Sequence, residues 1–158
     1  TRALIAREEA KLDAQLRPYR ALFHGKKAVL NTGGNKAWSI ASALQDLGIE
    51  VVATAVKKAT EDDREKARQT LGNKGVLMMN PGVEQAKIID ETGADLLLAG
   101  GRSLYTAIKK GIAFADVNQE KKKSYGGYDG LLNLAEDLKN ALQNPVFKNV
   151  ARRAPWEK

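Results

Sequence analysis

The sequence contains no cysteine and only one histidine, His24, among its 158 residues. Without cysteine, this chain has no disulfide bonds, thiolate zinc sites, thiolate-held iron–sulfur clusters or cysteine nucleophiles. His24 follows an apolar helical stripe, a position more typical of a helix-end histidine than of a catalytic one. No carboxylate pair, Ser/His/Asp set or metal-ligand spacing indicates hydrolysis or metal catalysis.

Long apolar runs are also missing, since none approaches the roughly 20 residues that a membrane helix requires. The beginning of the chain lacks the apolar segment of a secretory signal, so we expect a soluble, cytoplasmic protein. Charged residues make up 28% and hydrophobic residues 43% of the chain, which is typical of one globular domain. The 26 Lys and Arg residues exceed the 19 Asp and Glu residues, and the resulting net charge of +7 favours anionic partners.

Apolar spacing predicts an amphipathic helix over residues 4–24, in which Pro18 either kinks the helix or starts a second one. Short apolar runs then alternate with helical patterns. The runs predict strands at residues 28–31, 49–53, 76–79, 95–99 and 112–115, and the patterns predict helices at residues 36–47, 60–71, 83–92, 102–110 and 129–143. Thr60 and Asp63 have the spacing of a capping box.

This alternation predicts an α/β fold, a three-layer αβα doubly wound sheet that is mostly parallel and Rossmann- or flavodoxin-like. Residues 1–25 are expected to form an N-terminal helix, and residues 26–158 a single αβα domain. Ligands in such sheets bind outside the carboxyl ends of the strands. The loops at that edge are therefore the candidate functional segments.

Two of these loops combine paired glycines with a cation. The first reads Gly33-Gly34-Asn35-Lys36, and the second reads Gly100-Gly101-Arg102. Glycines let the backbone approach a ligand closely, and a helix N-terminus attracts anions. Neither loop has the dinucleotide or P-loop fingerprint. The residues alone leave two interpretations open, an anion-binding loop and a tight turn that requires glycine.

Two further segments are candidates on residue type. Residues 125–130, Tyr-Gly-Gly-Tyr-Asp-Gly, predict a close backbone approach, and Asp129 is a candidate cap for the following helix. Lys109 and Lys110 end a predicted helix, where the helix dipole alone accounts for cations. The lysines at residues 121–123 are interpreted as a solvated face.

A series of motifs in order resembles the nitrogenase component 1 family, and within it the alpha-subunit-like scaffolds of iron–molybdenum cofactor biosynthesis. The resemblance covers nearly the whole chain. It rests on residues 32–39, 44–54, 60–63, 95–102, 105–107, 116–120, 127–130, 144–146 and 154–156.

The resemblance implies a scaffold domain that is not itself an enzyme, and on which an iron–sulfur precursor of the cofactor matures with molybdenum and homocitrate. On this resemblance the chain is expected to be the C-terminal domain of a three-domain subunit, and a first residue that is Thr1 and not Met favours a processed or excised piece. The implied partners are the N subunit in a heterotetramer, the nitrogenase iron protein and cofactor-delivery proteins. The fragment alone is expected to hold no cofactor.

The resemblance also assigns residues to the cofactor cavity. Lys36 stands where catalytic relatives have a cluster-facing arginine, and Lys109 is similar to a lysine near the homocitrate end. Gly126 replaces a metal-ligating histidine, so a transient carrier is favoured and no metal ligand is expected here. The full set implied to face the cavity is Gly33, Gly34, Asn35, Lys36, Arg102, Lys109, Gln119 and Glu120.

Other functions stay open from the sequence. The paired-glycine turns also suit an enzyme domain that binds a nucleotide or flavin, and the net charge of +7 suits a nucleic-acid module. No helix-turn-helix or aromatic RNA-binding pattern supports the latter. Within the family, a protochlorophyllide reductase subunit or an alternative-metal scaffold shares the fold, but the motifs at residues 118–120 and 127–130 disfavour the reductase.

Overall fold

The computed structural model describes residues 1–33, 36–118 and 123–150. Within these ranges the chain alternates between strands and helices, as the apolar pattern predicts. The strands are β1 (Lys27–Asn31), β2 (Glu50–Ala55), β3 (Val76–Met78), β4 (Leu96–Ala99) and β5 (Ala113–Asp116). The helices are α1 (Arg2–Phe23), α2 (Lys36–Asp46), α3 (Glu61–Leu71), α4 (Pro81–Thr92), α5 (Leu104–Lys110), α6 (Gly127–Gln143) and α7 (Pro145–Val150), with a 3-10 turn at Gly101–Ser103 before α5.

The five strands form one parallel sheet in the order β3-β2-β1-β4-β5. The central strands β1 and β4 are buried on both faces, which explains why their sequences read as continuous apolar runs instead of alternating ones. Val29 and Leu97 lie side by side at the middle of this pair. The predicted doubly wound parallel α/β fold is confirmed.

Two apolar clusters cover the two faces of the sheet. One joins the sheet to α1, α2 and α6 through residues such as Phe23, Leu44 and Leu138. The other joins it to α4 and α5 through Ile89 and Ala107. Because right-handed crossovers place the helices on both faces, the result is a three-layer arrangement.

Helix α1 is continuous through Pro18, so no second helix begins there. Its residues Leu16 and Phe23 are buried in the core, and its Tyr19 hydroxyl donates to Glu136 Oε2 of α6 at 2.6 Å. His24 is exposed and forms the C-cap of α1, which is the predicted helix-end position. The division of the chain at residue 25 stays a prediction. None of the helices in the described ranges is long and apolar enough to cross a bilayer.

The helix ends test two local predictions. The capping box of α3 is confirmed, because the Asp63 N–H donates to Thr60 Oγ1 at 3.2 Å and the Thr60 N–H donates to Asp63 Oδ2 at 3.3 Å. The predicted cap at Asp129 is wrong, because α6 begins two residues earlier and Gly126 is its N-cap. The short helix α7 was not predicted, since its six residues are too few to show an apolar period.

Candidate functional site

The strand order creates a switch point between β1 and β4. The chain leaves β1 toward β2 and β3 on one side, and leaves β4 toward β5 on the other. In sheets of this type the two outgoing loops separate at the carboxyl ends of the switch-point strands, and ligands bind in the crevice that this topology leaves between them. Both paired-glycine loops predicted from the sequence begin at this crevice.

The first loop follows β1. Thr32 is 2% exposed, and its Oγ1 has no hydrogen-bond partner among the residues that the structure describes. Gly33 is exposed, and a Cβ built on it would meet no atom of the described residues within 4 Å. Its φ is not positive, so neither backbone strain nor crowding by the described part of the chain requires glycine at this position. Lys36 is exposed and begins α2, while Gly34 and Asn35 lie outside the described residues.

The second loop follows β4 and is more crowded. A Cβ on Gly100 would lie 2.9 Å from Asn118 Nδ2, and one on Gly101 would lie 3.6 Å from Asp116 Oδ2. The ends of β4 and β5 thus pack against each other through these positions. Arg102 is exposed on the 3-10 turn that follows. Asp116 adds a carboxylate to this part of the edge, which sequence reasoning did not include in the site.

A buried network of polar side chains connects the end of β1 with the 3-10 turn that follows β4. Gln85 of α4 is 4% exposed, and its Oε1 accepts from Asn31 Nδ2 at 2.9 Å and from Ser103 Oγ at 3.4 Å. Gln85 Nε2 donates to Thr106 Oγ1 at 3.2 Å. Sequence reasoning missed this network. The available signals were a strand that ends in asparagine and a glutamine on the apolar face of its helix.

A third segment approaches the same edge before α6. Gly130 is buried, and a Cβ on it would lie 2.3 Å from the carbonyl carbon of Tyr125. The predicted close backbone approach is confirmed at this glycine. The Tyr125 hydroxyl donates to Asp137 Oδ2 at 2.8 Å, which places its ring along α6. Gly126 has no side chain to offer a ligand.

The other site residues predicted from the sequence do not all lie at this edge of the sheet. Arg102 lies at the carboxyl edge, but Lys109 lies in the last turn of α5, where the chain has returned toward the start of β5. Its Nζ lies 4.9 Å from the Tyr105 ring centroid. The structure therefore does not bring Lys109 together with Lys36 and Arg102. Gln119 and Glu120 lie outside the described residues.

The described ranges contain no group of three or more His, Asp or Glu side chains arranged to hold a metal ion. The described groups at the carboxyl ends of β1, β4 and β5 are two cations, an exposed glycine backbone, a buried hydroxyl and the carboxylate of Asp116. The cations and backbone N–H groups are of the kind that binds anions through charge and hydrogen bonds rather than through coordination.

These features define a doubly wound α/β domain with its candidate ligand site at the switch point. The chain belongs to the nitrogenase component 1 type oxidoreductase family, whose model matches residues 1–143. The family resemblance predicted from the motifs is confirmed.

Curated relatives match almost the entire chain. It is 46% identical over 158 residues to the nitrogenase iron-molybdenum cofactor biosynthesis protein NifE of Nostoc sp. strain PCC 7120, covering 99% of this chain and 33% of that protein. The protein of the same name from Klebsiella pneumoniae is 42% identical over 157 residues, covering 99% of this chain and 34% of the relative. The chain thus spans about a third of the length of the curated relatives it matches.

A solved structure shows the same fold. The structure titled "Nitrogenase Cp1 at pH 5" superposes with a TM-score of 0.78 at 18% sequence identity, covering 99% of this chain and 38% of that one. At this identity the likeness concerns the fold alone.

Proposed function

We propose that this chain is a domain of a scaffold protein on which an iron–sulfur precursor of the nitrogenase iron–molybdenum cofactor matures. In this proposal the domain lines the precursor's cavity, supplies no metal ligand and catalyses no reaction itself. The proposal depends on one observation above all, the 46% identity over 99% of the chain to a named cofactor biosynthesis protein.

The geometry at the crevice supports an anionic guest. Lys36 begins the helix after β1, and Arg102 lies on the turn after β4, so cations stand at the exits of two adjacent strands. The exposed Gly33 leaves its backbone open to a ligand. An iron–sulfur precursor with homocitrate is negatively charged, and it is the cargo of the proposed scaffold. Lys36 and Arg102 would hold it by charge from outside its metal coordination.

Five of the exposed large apolar side chains occur near the same edge. Large apolar side chains in solvent usually mark contact with another protein surface when they lie together. Here they occur at the end of β3 and in the first turns of α4, α5 and α6. The group comprises Met79, Val83, Leu104, Tyr105 and Tyr128.

This apolar edge supports closure of the crevice by other protein. We propose that the covering surfaces are further domains of the complete scaffold subunit and its N-subunit partner in a heterotetramer. The nitrogenase iron protein and cofactor-delivery proteins are proposed to exchange cargo with that assembly.

A domain exchange tests the proposal without assuming where the natural protein begins or ends. This chain replaces the matching third of the Klebsiella relative, to which it is 42% identical. The chimera is expressed in cells that lack that relative. We expect it to restore maturation of the cofactor, measured as activation of cofactor-free nitrogenase by purified fractions. A chimera that folds and accumulates but activates nothing would contradict the assigned role.

A pair of variants of the chimera tests the charge argument. Lys36→Ala removes a cation from the crevice and is expected to lower cofactor maturation and the iron retained by the purified chimera. Lys74→Ala removes an exposed cation from the turn between α3 and β3, at the opposite edge, and is expected to change neither. Normal maturation in Lys36→Ala would show that the role assigned to this lysine is wrong.

The nucleotide or flavin interpretation of the paired-glycine turns is tested on the 158-residue chain by calorimetry. We expect no binding of ATP or FMN at micromolar concentrations. Micromolar affinity that disappears in Lys36→Ala would replace the scaffold proposal with an enzyme domain.

A further inference from the structure

The network beneath the crevice joins four segments that are distant in the sequence. Asn31 ends β1, Gln85 lies in the first half of α4, and Ser103 and Thr106 lie in the 3-10 turn and in α5. Asn31 Nδ2 donates both to Gln85 Oε1, at 2.9 Å, and to Ser103 Oγ, at 3.3 Å. Gln85 is the member that contacts all three others.

Burial makes this network rigid. Gln85 and Ser103 are 4% and 8% exposed, so water cannot replace their partners at low cost. A buried amide that has lost its partners must either remain unsatisfied or move the surrounding backbone. The bonds thus hold the side chains of both loops in one arrangement.

The network lies where both loops begin. Asn31 is one residue before Thr32 and five before Lys36, and Ser103 directly follows Arg102. Anything that fixes Asn31 relative to Ser103 therefore fixes the two cation-bearing turns relative to each other. A site that recognises a guest by charge depends on such support, because its cations must stay at a fixed separation.

We infer that Gln85 is a positioning residue that sets the separation between the turn after β1 and the turn after β4. It touches no guest and acts through Asn31 and Ser103. The functional importance of that separation rests on the proposed scaffold role, but the separation itself does not. It is therefore measured directly on the protein, without cargo.

The absence of cysteine makes the measurement specific. Lys36→Cys and Arg102→Cys introduce the only two thiols, and spin labels on them report the distance between the turns by electron paramagnetic resonance. Gln85→Met in this background keeps the length of the side chain but removes both its donor and its acceptor. We expect the distance distribution to become about twofold broader, because the turns lose their shared partner.

Ile88→Val is the matched control. Ile88 is a buried residue of the same helix, one turn from Gln85, and it packs in the apolar cluster instead of the network. Shortening the Ile88 side chain is expected to lower the free energy of unfolding while leaving the width of the distance distribution unchanged. Equal broadening in Ile88→Val and Gln85→Met would reduce Gln85 to an ordinary core residue and overturn the inference.

Ser103→Ala provides a second arm if Gln85→Met does not fold. It removes the hydroxyl that links Asn31 to Gln85, and it too is expected to broaden the distribution. An unchanged width in the folded variants would overturn the inference. Ser103→Ala in the chimera separates the two proposals. A broader distance distribution together with normal cofactor maturation would refute the link between the separation of the turns and maturation, but the positioning role of Gln85 would remain.

Discussion

Gly130 offers the sharpest test of the described packing. An alanine Cβ at this position would lie 2.3 Å from the carbonyl carbon of Tyr125, 2.7 Å from its oxygen and 2.9 Å from its Cα. Real Cβ atoms do not approach backbone this closely, and backbone cannot rotate away as the end of a side chain can. Gly130→Ala must therefore displace either residues 123–126 or the start of α6.

The expected cost is that of an overpacked core. Inserting one methyl group into a filled site typically costs about 1–3 kcal/mol, and displacement of backbone places this substitution at the upper end of that range. The Tyr125 hydroxyl bond to Asp137, 2.8 Å long, is expected to be lost with the shift. The free energy of unfolding should therefore fall by about 2–3 kcal/mol.

Two other glycines are matched controls for this substitution. Gly82 lies in the first turn of α4 with open space around it and an ordinary φ, so Gly82→Ala should raise stability by up to about 1 kcal/mol. Gly127 has a φ of +71°, and a Cβ on it would likewise meet none of the described residues within 4 Å. Gly127→Ala therefore isolates the cost of left-handed backbone, about 1–2 kcal/mol.

Equilibrium unfolding in urea separates these cases. With a slope of about 1–3 kcal/mol per molar urea, the loss predicted for Gly130→Ala moves the midpoint down by about 1 M. The order of stability should be Gly82→Ala, then Gly127→Ala, then Gly130→Ala. If Gly130→Ala unfolded at the midpoint of the parent chain, the close approach of α6 to Tyr125 would be refuted.

Three further predictions concern hydrogen bonds at helix ends and between helices. Thr60→Ala removes the cap of α3 and should cost about 1 kcal/mol in urea unfolding, whereas Thr60→Ser should cost far less. The Thr60 side chain lowers the pKa of Asp63 below its ordinary value of 3.8, so the ionised carboxylate stabilises the fold above that pH, and this stabilisation is lost as the pH falls through the lowered pKa. The urea midpoints of the parent chain and of Asp63→Asn should therefore converge in acid. A difference between the two midpoints that stays constant with pH would contradict this prediction. The hydrogen bond from Tyr19 lowers the pKa of Glu136, so Tyr19→Phe should raise that pKa as followed by NMR titration, and an unchanged titration would exclude the bond in solution.

The fold was predictable because it depends on apolar patterning. Each strand is a short apolar run, and each long helix carries an apolar face, so both local signals agree with the sheet that forms. Element ends shifted by at most two residues, as when the helix predicted from residue 102 became a 3-10 turn followed by α5. The short helix α7 was not predicted because six residues are too few to show an apolar helical period.

The site was less predictable, because a motif gives residue types without their surroundings. Gly33 and Gly100 both precede a second glycine and a cation, yet only Gly100 has a side chain within 3 Å of its missing Cβ. The tight-turn interpretation therefore finds support at one loop and not at the other. The Gln85 network depends on a contact 54 residues away in the sequence, which no local pattern reports.

For Lys109, the family resemblance and the sheet topology predict different positions. In a parallel sheet, each helix that follows a strand must return the chain to the amino edge before the next strand begins. Arg102 starts that return at the carboxyl edge, and Lys109 completes it next to β5, so both cannot face one crevice. Among the described residues assigned to the cavity, the cations at the carboxyl edge are therefore those near the starts of helices, Lys36 and Arg102. Under the proposed function, the recognition of an anionic guest by these two cations depends on the support of their turns by Gln85.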